Sequence, residues 1–498
     1  MLFHVRMIGA DNRPMNAGRL RSLYAADLRL EPARRRSQIG TDGVVAVESP
    51  YGRTAFHARV AVPGFGDVWV VADNAGQGYA PAACQLDFVR EAAWSHLAKA
   101  ESVLLPEGEL SVACKAHLDA SRYYLSRPQG DAAGLHHLTA LSHALWAGEM
   151  AVVERARHQV GAMPPREGFL FGCNVFSKPG SHPDSELYRD TFNFGTLPFY
   201  LSRVEPTPGD TGYYSYIDLL LDWCEREGIV PKGHPLWWGS RHGRPDWLIG
   251  SSWEEIQRQC RRTISRNMRR YAGRIRIWDA INEAHDWNNG LNLTHEQEVE
   301  ITRVCCDTMR ENDPDSLGIV NICFPYAEYV ADGAVSPTTP GPAYDDMFSP
   351  LRYFDALLDA NVEFDAVGLQ IYFPCRDMLS LEGMLEEYRK FGKPVHITEL
   401  GVRSAPTGRN MVYETFFHGD QTDRSEGEWH TQWCQKVQAD WLEWFYTLCY
   451  ARREIKAVTW WDFNDPGFIP TGGILTQEDL PKEGLFRLRQ LRKTLFRA

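Results

Sequence analysis

From about residue 168 onward, short apolar β-prone runs alternate with longer stretches whose apolar positions recur at helical spacing. Phe169 to Phe176, Phe194 to Tyr200 and the run leading through Gly233 to Trp238 predict three strands. Between and after them, Glu186 to Thr191 and Tyr216 to Glu227 predict helices. A longer helix shows one apolar face made of Trp253, Ile256, Cys260, Ile264 and Met268. A fourth strand ends at Glu283, and Glu296 to Arg310 is its helix. Leu317 to Cys323, Ala366 to Tyr372, Val395 to Leu400 and Ala457 to Phe463 supply four more strands. Eight βα units over about 330 residues predict a (β/α)₈ barrel, with a doubly wound open sheet as the alternative.

The chain before the barrel has a different texture. Residues 1–80 predict a small β-sandwich-like domain: Val44 to Val47, Thr54 to Val62 and Val68 to Val71 are β-prone, broken by Pro63-Gly64 and Asn74-Ala75-Gly76. Residues 81–165 read as a helical linker region, with apolar positions at helical spacing from Leu86 to Leu105 and from Leu135 to Val160, closed by Pro164-Pro165. Residues 166–498 are then the barrel.

Composition removes several function classes. A formal net charge of −12, with both signs interspersed, argues against a nucleic-acid partner, which requires clustered Lys and Arg. The dense basic run Arg34-Arg35-Arg36, between Pro32 and Gly40, reads as a solvated loop. The 11 cysteines form no CxxC pair, which predicts reduced buried thiols rather than a disulfide framework or zinc site. His136, His137 and His143 lack a carboxylate at ligand spacing, so no metal is expected, and no phosphate loop or nucleophile elbow implies a cofactor. No apolar run is long enough for a membrane partner, and the opening segment lacks an apolar signal core. A cytoplasmic location is the expectation as written, and secretion if the true start is missing. Sixteen Trp, 20 Tyr and 23 Phe suit a large core and a cleft where rings stack on sugars.

Two segments carry the chemistry. Trp278-Asp279-Ala280-Ile281-Asn282-Glu283 and Val395-His396-Ile397-Thr398-Glu399-Leu400 are β-prone runs that each reach a glutamate at or near a strand tip. In a (β/α)₈ barrel the C-terminal strand tips are where chemistry is done. Two facing carboxylates there suit glycosidic hydrolysis, one protonating the leaving oxygen and the other attacking the sugar carbon. A double displacement calls for carboxyl groups about 5–5.5 Å apart.

The chain resembles glycoside hydrolase family 10, the xylanase family, across about 170–490. WDAINE (278–283) resembles that family's WDVVNE block, and GHPLWW (233–238) its third-strand GHTLVW. VGLQIY (367–372), HITEL (396–400) and AVTWWDFND (457–465) resemble its sixth, seventh and eighth-strand blocks, in family order. The resemblance implies a retaining hydrolase cleaving β-1,4-xylosidic bonds in xylan or xylo-oligosaccharides, with Glu283 as acid/base and Glu399 as nucleophile. It further implies a substrate-binding set. Asn282 would hydrogen-bond the sugar 2-hydroxyl, Gln370 would orient the nucleophile or a sugar hydroxyl, and Trp238 and Trp461 would wall the cleavage subsite. His234 falls in the same set by position, although a buried strand histidine is its plainer reading. Trp237, Trp247, Trp287 and Trp460 read as core or general cleft lining.

Departures from the family pattern qualify the substrate. The family's histidine after the third-strand Trp is replaced by Gly239, its sixth-strand Gln-Ser-His by Gln370-Ile371-Tyr372, and its Asp two places after the nucleophile by Gly401. Losing that His and Asp together leaves no buried partner unpaired, and Tyr372 is then placed to donate its hydroxyl to Glu399. On the second strand, Leu197, Pro198 and Tyr200 stand where the family carries a Glu-Asn-x-x-Lys cluster gripping the next sugar. Arg203 is left either as a replacement donor or as a partner for Glu205. Two alternatives follow: the same mechanism on another β-glycan or an aryl or alkyl β-glycoside, or a non-hydrolytic carbohydrate-binding protein on a degenerate barrel.

Overall fold

The computed structural model describes residues 1–81, 85–103, 105, 109–128, 130–176, 184–285, 289–333, 347–373, 375–406 and 427–496. Eight parallel strands close into a barrel: β8 (Leu170–Asn174), β9 (Phe194–Pro198), β10 (Val230–His234), β11 (Ile277–Asn282), β12 (Leu317–Ile322), β13 (Ala366–Tyr372), β14 (Val395–Gly401) and β16 (Ile455–Trp460). Strand β16 pairs with β8 from Ala457↔Leu170 to Trp460↔Cys173, so the sheet has no edge and the open-sheet alternative is excluded. Helices between the strands bury one face against it. Trp253–Arg270, for example, is capped by Ser252 and sinks Ile256, Cys260, Ile264 and Met268. Trp223, Trp278, Trp441 and Trp460 are fully buried in the barrel core, each ring removing roughly 200 Å² from water.

The barrel strands and most helices follow the periodicity of the sequence to within a few residues. Helix Val112–Leu125 escapes sequence reading because it buries only Cys114, Leu118 and Ser121, too thin a stripe to register. Before the barrel lie β1 (Leu2–Arg6), β2 (Tyr24–Ala26), β3 (Ser37–Ile39), β4 (Val44–Glu48), β5 (Ala55–Val62), β6 (Gly66–Ala72) and β7 (Leu86–Asp87). They form two four-stranded sheets, β3-β4-β1-β7 and β15-β6-β5-β2, where β15 (Glu428–Trp429) comes from the excursion between β14 and β16. Both sheets share one apolar core with helices Phe88–Glu101 and Ala133–Ala162, including Val5, Val47, Val60, Val70, Ala92 and Leu141.

This region docks on loops that follow β12 and β13, the rim from which strand tips point into the barrel mouth. Trp69 N donates to Cys375 O (2.7 Å) and Arg35 N to Ala331 O (2.8 Å). The basic run is therefore not simply a solvated loop: Arg35 is ion-paired to Asp332 and bonded to the carbonyls of Ser22 and Leu23, because its neighbours lie against the barrel. Arg376 is buried between the two regions, within bonding distance of Tyr24 Oη (3.3 Å) and Glu328 (3.2 Å) and 3.9 Å from the Tyr326 ring centre.

The buried Glu149 ties three segments at this seam. It accepts from Met378 N (2.9 Å), Trp429 Nε1 (2.8 Å) and His430 Nε2 (2.6 Å). A Glu149→Leu substitution leaves two buried donors and the half-buried His430 without an acceptor and is expected to cost about 3 kcal/mol of stability. Thermal unfolding checks it; an unchanged midpoint would show that the seam does not depend on this carboxylate.

Candidate active site

The residues singled out in the sequence collect at the C-terminal ends of β10, β11, β13, β14 and β16, as parallel strand tips in a closed barrel must. Bulges adjust which side chains face inward. In β11 the register against β12 shifts between Asp279 and Ile281, so Ala280 is the extra residue. Asp279 and Asn282, three apart, thereby both face neighbours across the barrel interior, which strict alternation would forbid. A second shift, in β14, sets Gln370 of β13 opposite Glu399.

Glu283 follows β11 with its backbone in the left-handed region (φ 53°), and its N–H donates to Asn321 O (2.8 Å). For a non-glycine residue this conformation costs about 1 kcal/mol, held here by the surrounding bonds. Its carboxylate, 9% exposed, accepts from Gln370 Nε2 at Oε1 (3.0 Å) and from Trp238 Nε1 at Oε2 (3.1 Å). Glu399, 6% exposed, accepts from Asn321 Nδ2 at Oε1 (3.2 Å) and from the Tyr372 hydroxyl at Oε2. Gln370 thus serves Glu283 rather than Glu399, because the two bulges put its amide on the β11 side. Tyr372 makes the contact expected from the missing His–Asp pair.

Asn321, at the end of β12, was missed in the sequence, where a lone Asn in an apolar strand carries no signal. Its amide is wholly buried, and Nδ2 donates both to Asn282 Oδ1 (2.7 Å) and to Glu399. Its Oδ1 accepts from the Thr398 hydroxyl. A Cβ on Gly368 would sit 2.8 Å from that oxygen, so the neighbouring strand leaves room for the amide only with glycine there. Asn282 Oδ1 also accepts from Gln370 (3.2 Å). With both bonds on its oxygen, Asn282 keeps its two N–H donors for a ligand.

Behind Glu399 lies a second unforeseen group. Lys232 Nζ and His234 Nδ1 both reach Asp279 Oδ2, at 2.7 and 2.6 Å, and all three residues are buried. Burial raises the Asp279 carboxyl, but Lys232 and His234 outweigh it and hold it below the usual range. Burial keeps His234 below the ordinary histidine value, against the pull of Asp279. An ionised Asp279 can only accept, so His234 carries its proton on Nδ1 and leaves Nε2 as an acceptor, 3.8 Å from Glu399 Oε1.

Burial pushes Glu399 itself up to about 8. The Glu283 charge adds to that rise, while the Tyr372 hydroxyl and the Lys232 ammonium oppose it. In the empty site Glu399 therefore keeps its proton through neutrality.

The remaining positions form the walls. The Trp461 ring packs edge-on against His234 (5.6 Å) and Phe176 (5.1 Å). Gly401 lies against its backbone: a Cβ there would meet Trp461 O at 2.7 Å, leaving no space for the aspartate of the family pattern. Leu197 and Pro198 are buried, and the Tyr200 ring lies 5.7 Å from Trp238 and 5.6 Å from His234. Arg203 stacks over Tyr200 (5.2 Å), whereas Glu205 pairs with Arg262 (2.6 Å) and Arg266 (2.8 Å), so the Arg203–Glu205 bridge is not the arrangement adopted. Trp237 and Trp460 are core, Trp247 is bonded to Glu205 O (3.1 Å), and Trp287 lies outside the described residues.

The family model for glycosyl hydrolase family 10 matches residues 200–467. Endo-1,4-beta-xylanase B of Thermotoga neapolitana is 23% identical over 347 residues, which is 65% of this chain and 87% of that protein. Endo-1,4-beta-xylanase B of Neocallimastix patriciarum is 26% identical over 186 residues, 35% of this chain and 20% of that protein. Among solved structures, a family 10 endoxylanase retrieved from a sugarcane soil metagenome superposes with a TM-score of 0.50 at 19% identity, over 65% of this chain and 98% of that one, a likeness of fold.

The raised Glu399 carries a stability consequence. A folded acid with a value above its unfolded one binds more protons folded than unfolded between the two, so stability falls as pH rises through that window. Glu399→Gln removes this titration. Its thermal midpoint should match the native chain below the ordinary glutamate value of 4.5 and exceed it increasingly towards about 8. A pH-independent difference in midpoint would contradict the raised value.

Proposed function

The chain belongs to glycosyl hydrolase family 10, and on that premise we propose that it hydrolyses β-1,4-linked xylosyl chains by double displacement. The observation that carries this reading is the continuous bonded path from Glu283 through Gln370, Asn282 and Asn321 to Glu399 at the barrel mouth. It holds two carboxyls and a free amide edge in one arrangement, with Glu399 as nucleophile and Glu283 as acid/base.

Attack requires the charge on Glu399. The Tyr372 and Asn321 donors and the Lys232 ammonium favour it there. Glu283 then holds the proton and delivers it to the departing oxygen. Once the glycosyl-enzyme forms, the nucleophile's charge is consumed, and Glu283 ionises and takes a proton from water. The N–H donors of Asn282 meet the 2-hydroxyl, a bond that strengthens as the ring flattens. The sugar lies between Trp238 and Trp461, with His234 Nε2 as an acceptor for a hydroxyl.

Specificity beyond that sugar departs from the family. Leu197, Pro198 and Tyr200 offer apolar and aromatic surface on the second strand where charged donors are the family pattern. A second reading therefore keeps the mechanism and changes the neighbouring sugar, to another β-glycan or an aryl or alkyl β-glycoside.

Two substitutions separate the roles. Glu283→Ala should lower kcat/KM for a xylo-oligosaccharide by about 10²–10⁴-fold; kcat also carries the loss of the base that every substrate needs in the second step. The variant should lose far less kcat/KM for an aryl glycoside with an acidic phenol, which departs unprotonated. Glu399→Ala should abolish both. Equal losses on both substrates in Glu283→Ala would remove it as the acid, and an inverted first product by proton NMR would exclude double displacement.

The pH profile tests the Tyr372 bond. Removing the hydroxyl takes away a group that lowers Glu399, so Tyr372→Phe should move the ascending limb of activity to higher pH. An unmoved limb would show that the hydroxyl does not set the charge on Glu399.

A further inference from the structure

The geometry points to a second carbohydrate site on the outer helices of the barrel, one that holds a neutral β-linked chain without cleaving it. The inference rests on the reading that this chain acts on a polysaccharide. A cleft of about 610 Å³ opens among helix Ala133–Ala162, residues 429–437, helix Gln435–Ala451 and helix Glu483–Phe496. That volume falls within the roughly 300–1,000 Å³ of sites that take small molecules or chain segments. None of its lining residues belongs to the carboxylate site.

One wall is a fixed aromatic stack. The His430 imidazole lies between Trp146 (3.9 Å, 29° between planes) and Trp429 (3.8 Å, 22°), and Trp444 stands edge-on to Trp429 (5.3 Å, 89°). Three ring nitrogens of the stack are used elsewhere: Trp146 Nε1 donates to Gly64 O (2.8 Å), and Trp429 Nε1 and His430 Nε2 both bond Glu149. The rings are therefore held before any ligand arrives, and binding costs little ordering of the wall.

Opposite stand charges that are paired with one another. Arg487 binds Asp440 (3.0 Å) and Glu443 (2.6 Å), Arg157 reaches Glu443 (3.3 Å), and Lys436 is paired with Asp440. A phosphate or other anion would have to break these pairs. A neutral ligand rich in hydroxyls can instead share their donors and acceptors while laying its C–H face on the half-buried Trp444, which the stack behind it holds in place. That combination of an apolar face and many hydroxyls is the chemistry of a pyranose. Asp440 and Glu443 are both tied to Arg487, so neither is free to act on a glycosidic bond, and the cleft binds rather than cleaves.

The test compares binding in a Glu399→Ala background, where no substrate is consumed and the carboxylate cleft is common to every protein. Trp444→Ala removes a wall ring, and Thr431→Trp fills the cleft from an exposed lining position. In native gels containing soluble arabinoxylan or mixed-linkage β-glucan, both variants should bind about tenfold more weakly than their parent. Cys434, an exposed thiol on the lining, gives an independent readout. A saturating xylo-oligosaccharide should slow its alkylation by maleimide, followed by peptide mapping, and should fail to do so in Trp444→Ala. Equal retardation of the three proteins, or Cys434 alkylation indifferent to oligosaccharide while the parent is still retarded, would overturn the second site and leave the catalytic reading intact. A native enzyme that hydrolyses no glycan, with Cys434 still protected, would do the reverse.

Discussion

One buried amide holds the site together. Asn321 is the only described residue whose side chain donates to both Asn282 and Glu399, and its backbone carbonyl accepts the Glu283 N–H as well. Carboxylates brought together in a dry barrel mouth repel, and each must be held by donors that are themselves anchored. Asn321 is anchored by Thr398 and packed against Gly368, so strands β11, β12, β13 and β14 must keep their register for the two acids to face one cleft. The two bulges belong to the same constraint, since they turn residues on neighbouring strands towards this amide rather than away from it.

Around that centre the molecule arranges charge in layers. Lys232, Asp279 and His234 form a buried group behind Glu399 in which the Lys232 ammonium lowers that carboxyl and Asp279 raises it, so burial still prevails. Tyr372 supplies a neutral donor in place of the charged pair that family members use, and Gly401 shows why the replacement is complete: the backbone of Trp461 occupies the space an acidic side chain would need. The substitution exchanges a charged network for a shorter neutral one and leaves both Glu399 oxygens bonded.

The region before the barrel is part of the same body. It contributes two sheets and shares its seam with loops after β12 and β13, and the barrel returns a strand, β15, to one of those sheets. Glu149 and Arg376 are buried where these pieces meet. The outer cleft beside Trp146 and His430 exists because of this exchange: its stack is assembled from a helix before the barrel and a segment between the last two barrel strands.

By itself the sequence determined the barrel, because eight apolar runs alternating with amphipathic stretches have few other ways to bury both. It also determined the two glutamates and their immediate neighbours, since a carboxylate ending an apolar strand is unusual enough to be read locally. What the tertiary structure decided was pairing. Whether Gln370 serves Glu283 or Glu399 depends on bulges that shift register by one residue, and no local pattern marks them. Asn321, Lys232 and Asp279 look like ordinary strand residues until the closing barrel brings β10, β11, β12 and β14 within bonding distance. Arg203 and Glu205 are close in sequence yet part company, because helix Trp253–Arg270 presents Arg262 and Arg266 to the carboxylate first. Local chemistry is written in residue order, but a buried hydrogen bond is chosen by whichever partner the fold brings within reach.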